Sequence, residues 1–493
     1  MANSIKFIVR LQAEITVKSR SLRQRHGTLL TRNVRHLMKD ISELTKVRWL
    51  WDKVEVDAPA DPAIAAAVRR QLGNIPGIAH IEEVLQIPWN NFEATLEFVL
   101  QHTAERLRNA SFAVRVKRKG KHEFSSQDLA AYIGGGILAR VEGTQVQLKA
   151  PQQQVQLWLE DETVSLLVER HPGLGGYPLP AQETVLSLIS GGFDSAVASY
   201  QMIRRGARTH FCFFNLGGAE AHEAAVREIA YFIWQKYSAT HPVKFISLDF
   251  SEVVERILAQ DEPGVMGVVL KRAMLRAGAL VAERLNAQAL VTGEAMGQVS
   301  SQTLSNLKII DEVTPTLVLR PLISMDKQQI VDIARSMGVE AMSAAVPEYC
   351  GVISQKPTVK AKRPVVYKAE TGITDALIEA VVVAAPVRDI REVHATTFAN
   401  SGPQIVQDIT QLPASAKVID IRTLDEQEES PLVLETLGVM PVPFFKLASF
   451  MAKQDPAEHY VLYCQQGVMS RLQAIRLQEQ GFAHVYVFEP RTK

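Results

Sequence analysis

The sequence predicts a multidomain α/β protein whose central part is a doubly wound, mainly parallel sheet. The chain has 493 residues, more than a single hydrophobic core usually holds. Beyond residue 180, apolar runs of strand length alternate with longer helical segments, which is typical of parallel sheets with crossover helices. A stretch rich in Gly and Pro, HPGLGGYPLP, separates this part from an α+β part that precedes it.

Composition and cysteine content indicate a globular protein of a reducing compartment. Hydrophobic residues make up 47% and charged residues 22% of the chain. Three cysteines, Cys212, Cys350 and Cys464, are too few for a disulfide framework. The N-terminus lacks the uninterrupted apolar core of a cleaved signal, and the longest apolar run is far shorter than the roughly 20 residues that span a bilayer. We therefore expect a cytoplasmic protein that does not enter the membrane.

Basic residues are concentrated in two places, although the formal net charge is only +1. Residues 1–39 hold nine Lys or Arg against one acid, Glu14, and a second basic cluster covers 115–121. Such segregation predicts a polyanionic partner, and the alternative is a pair of solvated faces. The candidate contacts to the polyanion are Arg32, Arg35, Lys117, Arg118, Lys119 and Lys121.

The N-terminal third predicts two α+β units. In residues 1–60 we expect a strand over 5–11, a strand-like segment over 14–17, a basic helix over about 22–44 and a strand over 47–56. The linker-like segment APADPA follows. Residues 61–170 again alternate helical and strand-like segments, which predicts a second unit of the size of an RNA-binding domain.

The central and C-terminal parts predict two further α/β units. The central strands are LSLI, THFCFFNL, KFISLDF, LVTGE and LRPLI, and helices or polar loops follow them. An irregular passage with Lys and Pro, from about 351 to 393, is expected to serve as a mobile linker. Beyond it, the strands AKVIDIR, HYVLYC and HVYVFEP and the helix SRLQAIRLQEQGF predict a last small unit.

The segment SGGFDS, residues 190–195, is expected to bind a pyrophosphate. It follows the apolar strand LSLI and precedes a helix, so that backbone N–H groups and two hydroxyls would face an anion. Gly191 and Gly192 permit backbone angles that a Cβ would obstruct. The lysine of a GxxxxGK[ST] loop is absent, which argues against transfer of a γ-phosphoryl group. The alternative is an ordinary Gly-Gly turn of an α/β domain.

Several residues of the central unit would complete a nucleotide site. A lysine near the α-phosphate stabilises charge that develops during attack, and a glycine after a strand lets the backbone approach closely. The candidates are Lys271, Gly293, Gln302 and Lys327. Taken alone, Lys271 would be interpreted as a plain surface lysine. Gln302 would be interpreted as a residue that caps a helix. Asp194 is expected to hold Mg²⁺ or a reacting proton, and its alternative role is the N-cap of the following helix.

The three cysteines differ in their surroundings. Cys464 ends an apolar strand and precedes a loop and a helix, an arrangement that would stabilise a thiolate or a persulfide anion. Cys350 lies in the loop VPEYCGVIS, where it could react with a second sulfur. Cys212, inside HFCFFNL, is interpreted as a buried core residue.

Taken together, these strings resemble the tRNA 4-thiouridine synthetase family, the tRNA uracil 4-sulfurtransferases also called ThiI. The resemblance covers essentially the whole chain, including SGGFDS, EYCGV, YCQQGVMS, KRKGKHEFSSQDLAAYIGGGI and GEAMGQVSSQTLSNL. It implies four domains: a ferredoxin-like domain over 1–60, a THUMP domain over 61–170, a PP-loop ATP pyrophosphatase domain with an adenine nucleotide alpha hydrolase-like fold over 177–390, and a rhodanese domain over 400–493.

The resemblance also implies an activity and roles for residues. ATP, with Mg²⁺, would adenylate O4 of a tRNA uridine, at position 8, and sulfur from a persulfide on Cys464 would replace that oxygen. Cys350 would then form a disulfide with Cys464. ATP would contact Leu188, Ile189, Ser190, Gly191, Gly192, Asp194, Ser195, Lys271, Gly293, Gln302 and Lys327.

The implied partners are tRNA, a cysteine desulfurase as sulfur donor and a sulfur-carrier protein of thiamine thiazole synthesis. The uncharged pair Gln465 and Gln466 departs from the charged residues frequent after the rhodanese cysteine, and we expect it to tune desulfurase docking or the persulfide. Two other functions stay open: a PP-loop enzyme with another RNA target, such as a 2-thiouridylase or a cytidine-modifying ligase, and a sulfur carrier with an inactive nucleotide site. A homodimer is equally compatible with the sequence.

Overall fold

A computed structural model describes residues 4–217, 220–346, 356–397, 403–408, 412–413, 415–422, 424–434, 437–465 and 467–490. The chain divides into two compact units. The first comprises Met1–Ala181 with Arg204–Gly206, and the second comprises Gln182–Ile203 with Ala207–Lys493. The first contains an eight-stranded sheet, and the second contains a six-stranded and a five-stranded sheet.

The N-terminal unit begins with a βαββαβ arrangement. Its elements are β1 (Ser4–Leu11), α1 (Ala13–Thr16), α2 (Arg20–Ile41), β2 (Lys46–Leu50), β3 (Lys53–Pro59), α3 (Pro62–Gly73) and β4 (Ile78–Pro88). The strand order β2-β3-β1-β4 is that of a ferredoxin-like sheet. A core of Phe7, Val34, Val56 and Leu72 joins the strands to α2 and α3. The predicted 60/61 boundary thus falls inside this arrangement, since α3 and β4 complete its core.

Two local expectations for this region are wrong. Residues 14–17 do not form a strand, because Ile15 N–H bonds to Gln12 O at 2.9 Å and closes the short helix α1. The predicted strand over 47–56 is a hairpin, β2 and β3, that turns at Trp51 and Asp52. Trp51 has φ +37°, a left-handed conformation that reverses the chain.

The same sheet continues through the second half of the unit. Its elements are α4 (Phe92–Leu107), β5 (Ser111–Lys119), α5 (Ser126–Arg140), β6 (Gln145–Val146), β7 (Gln153–Glu160) and β8 (Thr163–Pro172). β8 pairs antiparallel with β4, and the order runs β4-β8-β7-β5-β6. Leu96 and Ile133 of the helices pack on Phe112 and Leu157 of the strands. Side chains on the opposite face of β5 therefore remain at the surface.

The second unit contains the predicted doubly wound sheet. Its elements are β9 (Gln182–Leu188), α6 (Phe193–Arg204), β10 (Ala207–Asn215), α7 (Glu220–Tyr237), β11 (Lys244–Asp249), α8 (Ser251–Leu258), α9 (Met266–Arg284), β12 (Ala289–Val291), α10 (Leu304–Asp311), β13 (Leu317–Leu319), α11 (Lys327–Met337) and α12 (Glu340–Ala344). The order β13-β12-β9-β10-β11 is parallel throughout, which confirms the predicted fold class.

The expectation of an irregular linker over 351–393 is wrong for its described part, which begins at 356. It contains α13 (Arg363–Ala369), α14 (Asp375–Ala384), β14 (Arg388–Asp389) and the start of α15 (Ile390–Thr397). Val366, Ile378 and Val382 belong to the core beneath α9, and β14 pairs antiparallel with β11. Because these apolar side chains are buried, this passage is packed on the sheet and does not provide the expected mobile connection.

The C-terminal part of the second unit is a separate parallel sheet. Its elements are β15 (Gln404–Val406), β16 (Lys417–Asp420), α16 (Leu424–Glu429), β17 (Val439–Pro441), α17 (Phe444–Met451), β18 (His459–Tyr463), α18 (Val468–Glu479) and β19 (His484–Phe488). The order is β15-β19-β18-β16-β17, with a core that includes Leu462 and Val487. Helix α18 packs on α7 of the larger sheet. In the ranges that can be described, no helix has the length and apolar content needed to cross a membrane.

Candidate active site

The SGGFDS segment lies where the order of the parallel sheet reverses. β9 is central, the chain winds from it to β10 and β11, and it returns to β12 on the other side of β9. Ligands of doubly wound sheets bind at the carboxyl ends of the strands at such a point. The loop after β12 comes so close that a Cβ on Gly293 would lie 2.5 Å from the carbonyl carbon of Asp194. Only glycine fits there.

Hydrogen bonds within the segment fix its shape before any ligand binds. The Ser195 hydroxyl accepts the Ser190 N–H at 3.1 Å and donates to Gly192 O at 3.1 Å. Gly191 has φ +85°, which favours glycine. His222 Nε2 donates to Ser190 O at 3.1 Å from α7, and burial lowers the pKa of this imidazole. The Ser195 hydroxyl therefore holds the loop and does not face an anion as expected, and the N–H groups of residues 191–195 remain for one.

The two residues before the loop end strand β9. Ile189 is buried and donates its N–H to Cys212 O at 2.9 Å, which continues the pairing with β10. Leu188 is half-buried and packs on the core beneath α9. Both predicted contacts thus lie at the carboxyl end of the central strand, directly beside the loop.

Asp194 accepts two hydrogen bonds from outside the loop. Lys327 Nζ donates to Oδ1 at 2.8 Å and Gln298 Nε2 donates to Oδ2 at 2.8 Å. The alternative N-cap role is wrong, because α6 already begins at Phe193 and Asp194 lies in its first turn. Lys327 is half exposed and lies 5.6 Å above the Phe193 ring. This lysine is thus held beside the loop by a carboxylate that an incoming phosphate could replace.

Lys271 belongs to a buried ion network and is not a plain surface lysine. Its Nζ donates to Glu294 Oε1 at 2.6 Å, and Arg320 Nε donates to Glu294 Oε2 at 2.7 Å. Arg320 also pairs with Asp311. Burial alone would raise the pKa of Glu294, but Lys271 and Arg320 outweigh it and the pKa is lowered. The sequence analysis missed Glu294, Gln298 and Arg320, although the first two lie within the string GEAMGQVSSQTLSNL and Arg320 lies in the predicted strand LRPLI.

Gln302 is buried and offers an unpaired acceptor. It ends the short turn Ser300–Gln302, and its side-chain Oε1 has no hydrogen-bond partner. The alternative capping role is wrong, because Thr303 caps α10 by accepting the Asn306 N–H. Buried acceptors normally have donors, so a ligand N–H group would satisfy this one.

A second candidate site lies at the end of β18. The Ser470 N–H donates to Cys464 Sγ at 3.3 Å, and the Ser470 hydroxyl donates to Gly467 O at 2.9 Å. Gly467 has φ +73°, and the first turn of α18 is tied to the following strand by Arg471, which binds Glu489 through two bonds of 2.6 and 2.7 Å. The loop therefore directs the Ser470 N–H, in the first turn of α18, toward the sulfur.

The other cysteines and the metal prediction have different outcomes. Cys212 is fully buried, and burial raises the pKa of its thiol well above the ordinary value, which confirms its interpretation as a core residue. Cys350 lies outside the described residues.

Within the described residues, the side chains that could share a metal ion in a group of three are Glu83, Glu169 and His171. They are far in sequence from the loop of residues 190–195 and belong to the other unit.

The predicted polyanion contacts are at the surface but do not form one row. Lys117 and Lys119 are exposed on one face of β5, whereas Arg118 points to the other face and lies 5.6 Å from the Phe124 ring. Lys121 is exposed in the loop that follows. On α2, Arg32 and Arg35 are exposed, and Arg35 also donates to Val47 O. Lys117 and Lys119 are the pair that the structure brings together.

The fold and the two sites define a class of protein: a nucleotide-binding α/β protein with a lysine-free loop after the central strand, residues 190–195, called the phosphate loop, and a separate loop that carries Cys464. Models of two families match the chain, the thiamine biosynthesis protein family (ThiI) over 180–374 and the THUMP domain over 82–169. The tRNA sulfurtransferases of Erwinia tasmaniensis and Shewanella sediminis are each 48% identical to 99% of this chain over their full lengths. The chain belongs to the tRNA sulfurtransferase family, as the resemblance predicted.

A solved structure supports the fold. The complex of a 4-thiouridine synthetase with RNA and ATP matches with a TM-score of 0.68 and 24% identity, over 78% of this chain and 99% of that one. A second structure, PH1313 from Pyrococcus horikoshii, matches 68% of this chain with a TM-score of 0.50 and 17% identity. At these identities the likeness concerns the fold alone.

Proposed function

We propose that this protein uses ATP to activate O4 of a uracil in tRNA and replaces that oxygen with sulfur, which gives 4-thiouridine. The observation that carries the proposal is the pairing of a lysine-free phosphate loop at the switch point with a cysteine loop in the same chain. A loop without its own lysine suits release of pyrophosphate rather than transfer of a γ-phosphoryl group. Membership of the tRNA sulfurtransferase family supports the choice of sulfur and tRNA.

In the first step, the uracil O4 attacks the α-phosphorus of ATP and pyrophosphate leaves. The N–H groups of residues 191–195 bind the departing phosphates, because they lie beyond the carboxyl end of β9 and at the start of α6. Lys327 leaves Asp194 for a phosphate oxygen and stabilises the charge that develops. Lys271 stays beside Glu294, and Gln302 Oε1 accepts a donor of the nucleotide.

In the second step, the terminal sulfur of a persulfide on Cys464 attacks C4 and AMP leaves. The intermediate then holds C4 bonded through two sulfurs to Cys464. The Cys350 thiolate attacks the Cys464 sulfur, which releases the 4-thio group and forms a Cys350–Cys464 disulfide. An external thiol supplies two electrons to reduce that disulfide. Cys464 fits the first part of this step, because Ser470 N–H and the start of α18 stabilise the negative sulfur.

We further propose Mg²⁺ as the companion of ATP, with Asp194 as the carboxylate that would reach it. Mg²⁺ prefers oxygen ligands and commonly combines one or two carboxylates with phosphates and water. Both Asp194 oxygens are hydrogen-bonded, so a metal ligand role requires that Lys327 or Gln298 moves away. The metal would neutralise charge on the leaving pyrophosphate.

The family resemblance alone supports the finer assignments. We propose position 8 of tRNA as the target, a cysteine desulfurase as the persulfide donor and a second delivery of sulfur to a carrier protein of thiamine thiazole synthesis. We also propose a cytoplasmic location and a homodimer. The exposed lysines of β5 would bind tRNA phosphates, so Lys117→Ala with Lys119→Ala should weaken tRNA binding and flatten its salt dependence. Unchanged affinity at all salt concentrations would remove this surface from the proposal.

The proposal is tested by incubating the protein with tRNA, ATP, Mg²⁺ and a sulfur source. Nucleoside mass analysis with chromatographic standards should show 4-thiouridine, and the nucleotide product should be AMP. Formation of 2-thiouridine would point to another PP-loop target, and ADP or nucleotide-independent thiolation would contradict the proposal. In the same assay, Cys350→Ser should stop after a single turnover, and many turnovers would exclude its resolving role.

A further inference from the structure

The tip of the β2–β3 hairpin carries an exposed tryptophan that core packing does not explain. Leu50 pairs with Lys53, so Trp51 and Asp52 form a two-residue turn. Trp51 has φ +37° and leaves 48% of its surface exposed. Two-residue turns favour Asn, Asp and Gly at such angles, and a bulky residue in this conformation is an outlier. Outliers of this kind concentrate at functional sites.

Two arginines from the first turns of α2 lie against this indole. The guanidinium carbon of Arg23 is 4.3 Å and that of Arg20 is 5.1 Å from the ring centre. Neither side chain forms a salt bridge within the part of the chain that is described. Arg23 Nε is moreover buried without any hydrogen-bond acceptor. A buried donor without a partner indicates that an acceptor from outside the chain belongs here.

The acids near the two arginines in sequence are paired with other cations. Its nearest acid in sequence, Asp52, is taken by Arg10 at 3.2 Å, and Glu14 is taken by Arg205 at 3.2 Å. An anionic ligand would therefore find two guanidinium groups, those of Arg20 and Arg23, that form no ion pair within the described residues.

We propose that Trp51, Arg20 and Arg23 form an RNA-binding subsite in which the indole stacks on an unpaired base and the guanidinium groups bind its phosphate. A nucleotide offers a flat base for the exposed part of the indole and an anion for the two guanidinium groups. The proposal deepens the proposed function and rests on it for the identity of the RNA. The subsite lies on the first half of the N-terminal sheet, apart from Lys117 and Lys119 on β5.

The test measures binding of the full-length protein to labelled tRNA and to a blunt RNA duplex without unpaired nucleotides, at several salt concentrations. Trp51→Ala should weaken tRNA binding about tenfold with an unchanged salt slope, because stacking releases no counterions. It should barely affect the duplex. Trp51→Phe should restore most of the affinity. Arg23→Gln should instead flatten the logarithmic salt slope for tRNA by about 0.7 to 0.9 units, the contribution of one phosphate.

Leu44→Ala provides the matched control, because Leu44 is a second exposed apolar residue of the same unit, 75% exposed. It should bind both RNAs as the parent chain does. Equal tRNA affinity for Trp51→Ala and the parent chain, or an equal loss for tRNA and duplex, would overturn the subsite. Failure of Trp51→Phe to restore binding would do the same. Binding is measured without ATP or sulfur, so absence of 4-thiouridine would refute the proposed function and leave this test intact.

Discussion

Glu294 is the residue on which the cation arrangement beside the phosphate loop depends. Its side chain is 9% exposed and holds Lys271 and Arg320 on its two oxygens, while Thr292 Oγ1 donates to it at 3.1 Å. Because a buried carboxylate is costly without partners, the three charges are stable only together. The network therefore fixes the position of Lys271.

Replacing Glu294 with Gln should destabilise the second unit by about 3 kcal/mol, because Lys271 and Arg320 would lose a buried counter-charge. The effect should be visible in urea denaturation followed in the second unit. Glu252→Gln is the control, since Glu252 forms an exposed pair with Arg256 and should change stability by less than about 0.5 kcal/mol. Equal stability of the Glu294→Gln and parent chains would show that the network is not a stabilising feature.

For single residues, the sequence predicts the site groups that lie together in one segment and misses the groups that meet only in the folded chain. SGGFDS and Gly293 each follow an apolar strand, and that position is visible in the sequence. The contacts of Glu294 are 23 and 26 residues away in the chain: Lys271 meets it because α9 packs on β12, and Arg320 meets it because β12 and β13 are neighbours in the sheet. A glutamate after a strand otherwise predicts an exposed side chain.

Strands β10 and β11 are joined by a histidine that must stay neutral. His210 Nδ1 accepts the Lys244 N–H at 3.0 Å, which an imidazolium could not do. Burial, then Arg208 and Lys244, lower its pKa from 6.5 to about 4. The unfolded chain therefore binds a proton between pH 6.5 and 4 that the folded chain does not, and stability falls as the pH falls through this range.

Acidification from pH 6.5 to 4 should accordingly weaken this part of the sheet by about 3 kcal/mol through His210 alone. Hydrogen exchange of residues 207–215 and 244–249, resolved by mass spectrometry, measures the effect locally. His210→Asn keeps an acceptor near the Lys244 N–H but does not titrate, so its exchange should depend less on pH. The same pH dependence in His210→Asn would exclude this histidine as the cause.

The loop after β18 depends on glycine at position 467. A Cβ there would lie 2.3 Å from Glu489 Oε1, and Arg471 fixes that carboxylate. Gly467→Ala should cost about 1 to 3 kcal/mol, because the residue also needs φ +73°, and should lower the persulfide yield on Cys464. Thiocyanate released by cyanolysis measures that yield. Gly438→Ala, where a Cβ meets no atom within 4 Å, should leave it unchanged, and a parent-like yield for Gly467→Ala would contradict the role of the glycine.

Among whole elements, the predictions fail where a short segment has two interpretations. VVYKA and ALIEAVVVA lie in a Lys- and Pro-containing passage that predicts a linker, yet their apolar residues have a helical spacing and cover the core beneath α9. Residues 47–56 predict one strand because Trp51 is not a typical turn residue. Tertiary packing determines the structure of the first two segments and an unusual turn determines that of residues 47–56, and neither is visible in the local composition.

In the whole molecule, α7 is the element that contacts both candidate sites. Its early residue His222 binds Ser190 O of the phosphate loop, and α18, which follows the Cys464 loop, packs on it. Tyr231 of α7 also stacks on His394 of α15 with ring centres 3.8 Å apart, and His394 Nδ1 lies 2.9 Å from buried Glu228. The two sites nevertheless belong to different sheets with separate cores, so their chemistry should be separable by substitution.

Cys464→Ser should retain formation of pyrophosphate from ATP and tRNA for one turnover and lose thiolation, because the serine cannot carry a sulfane sulfur and the phosphate loop is built on another sheet.

Lys327→Ala should lower the formation of pyrophosphate and of 4-thiouridine together, by about 100-fold, the usual effect of removing one group that stabilises transition-state charge. Lys308→Ala, an exposed lysine on α10, should leave both unchanged. Pyrophosphate and 4-thiouridine are measured in the same reactions. If Lys327→Ala lost thiolation but kept pyrophosphate release, this lysine would act after adenylation. If Cys464→Ser lost pyrophosphate release as well as thiolation, the cysteine loop would be required to complete the nucleotide site.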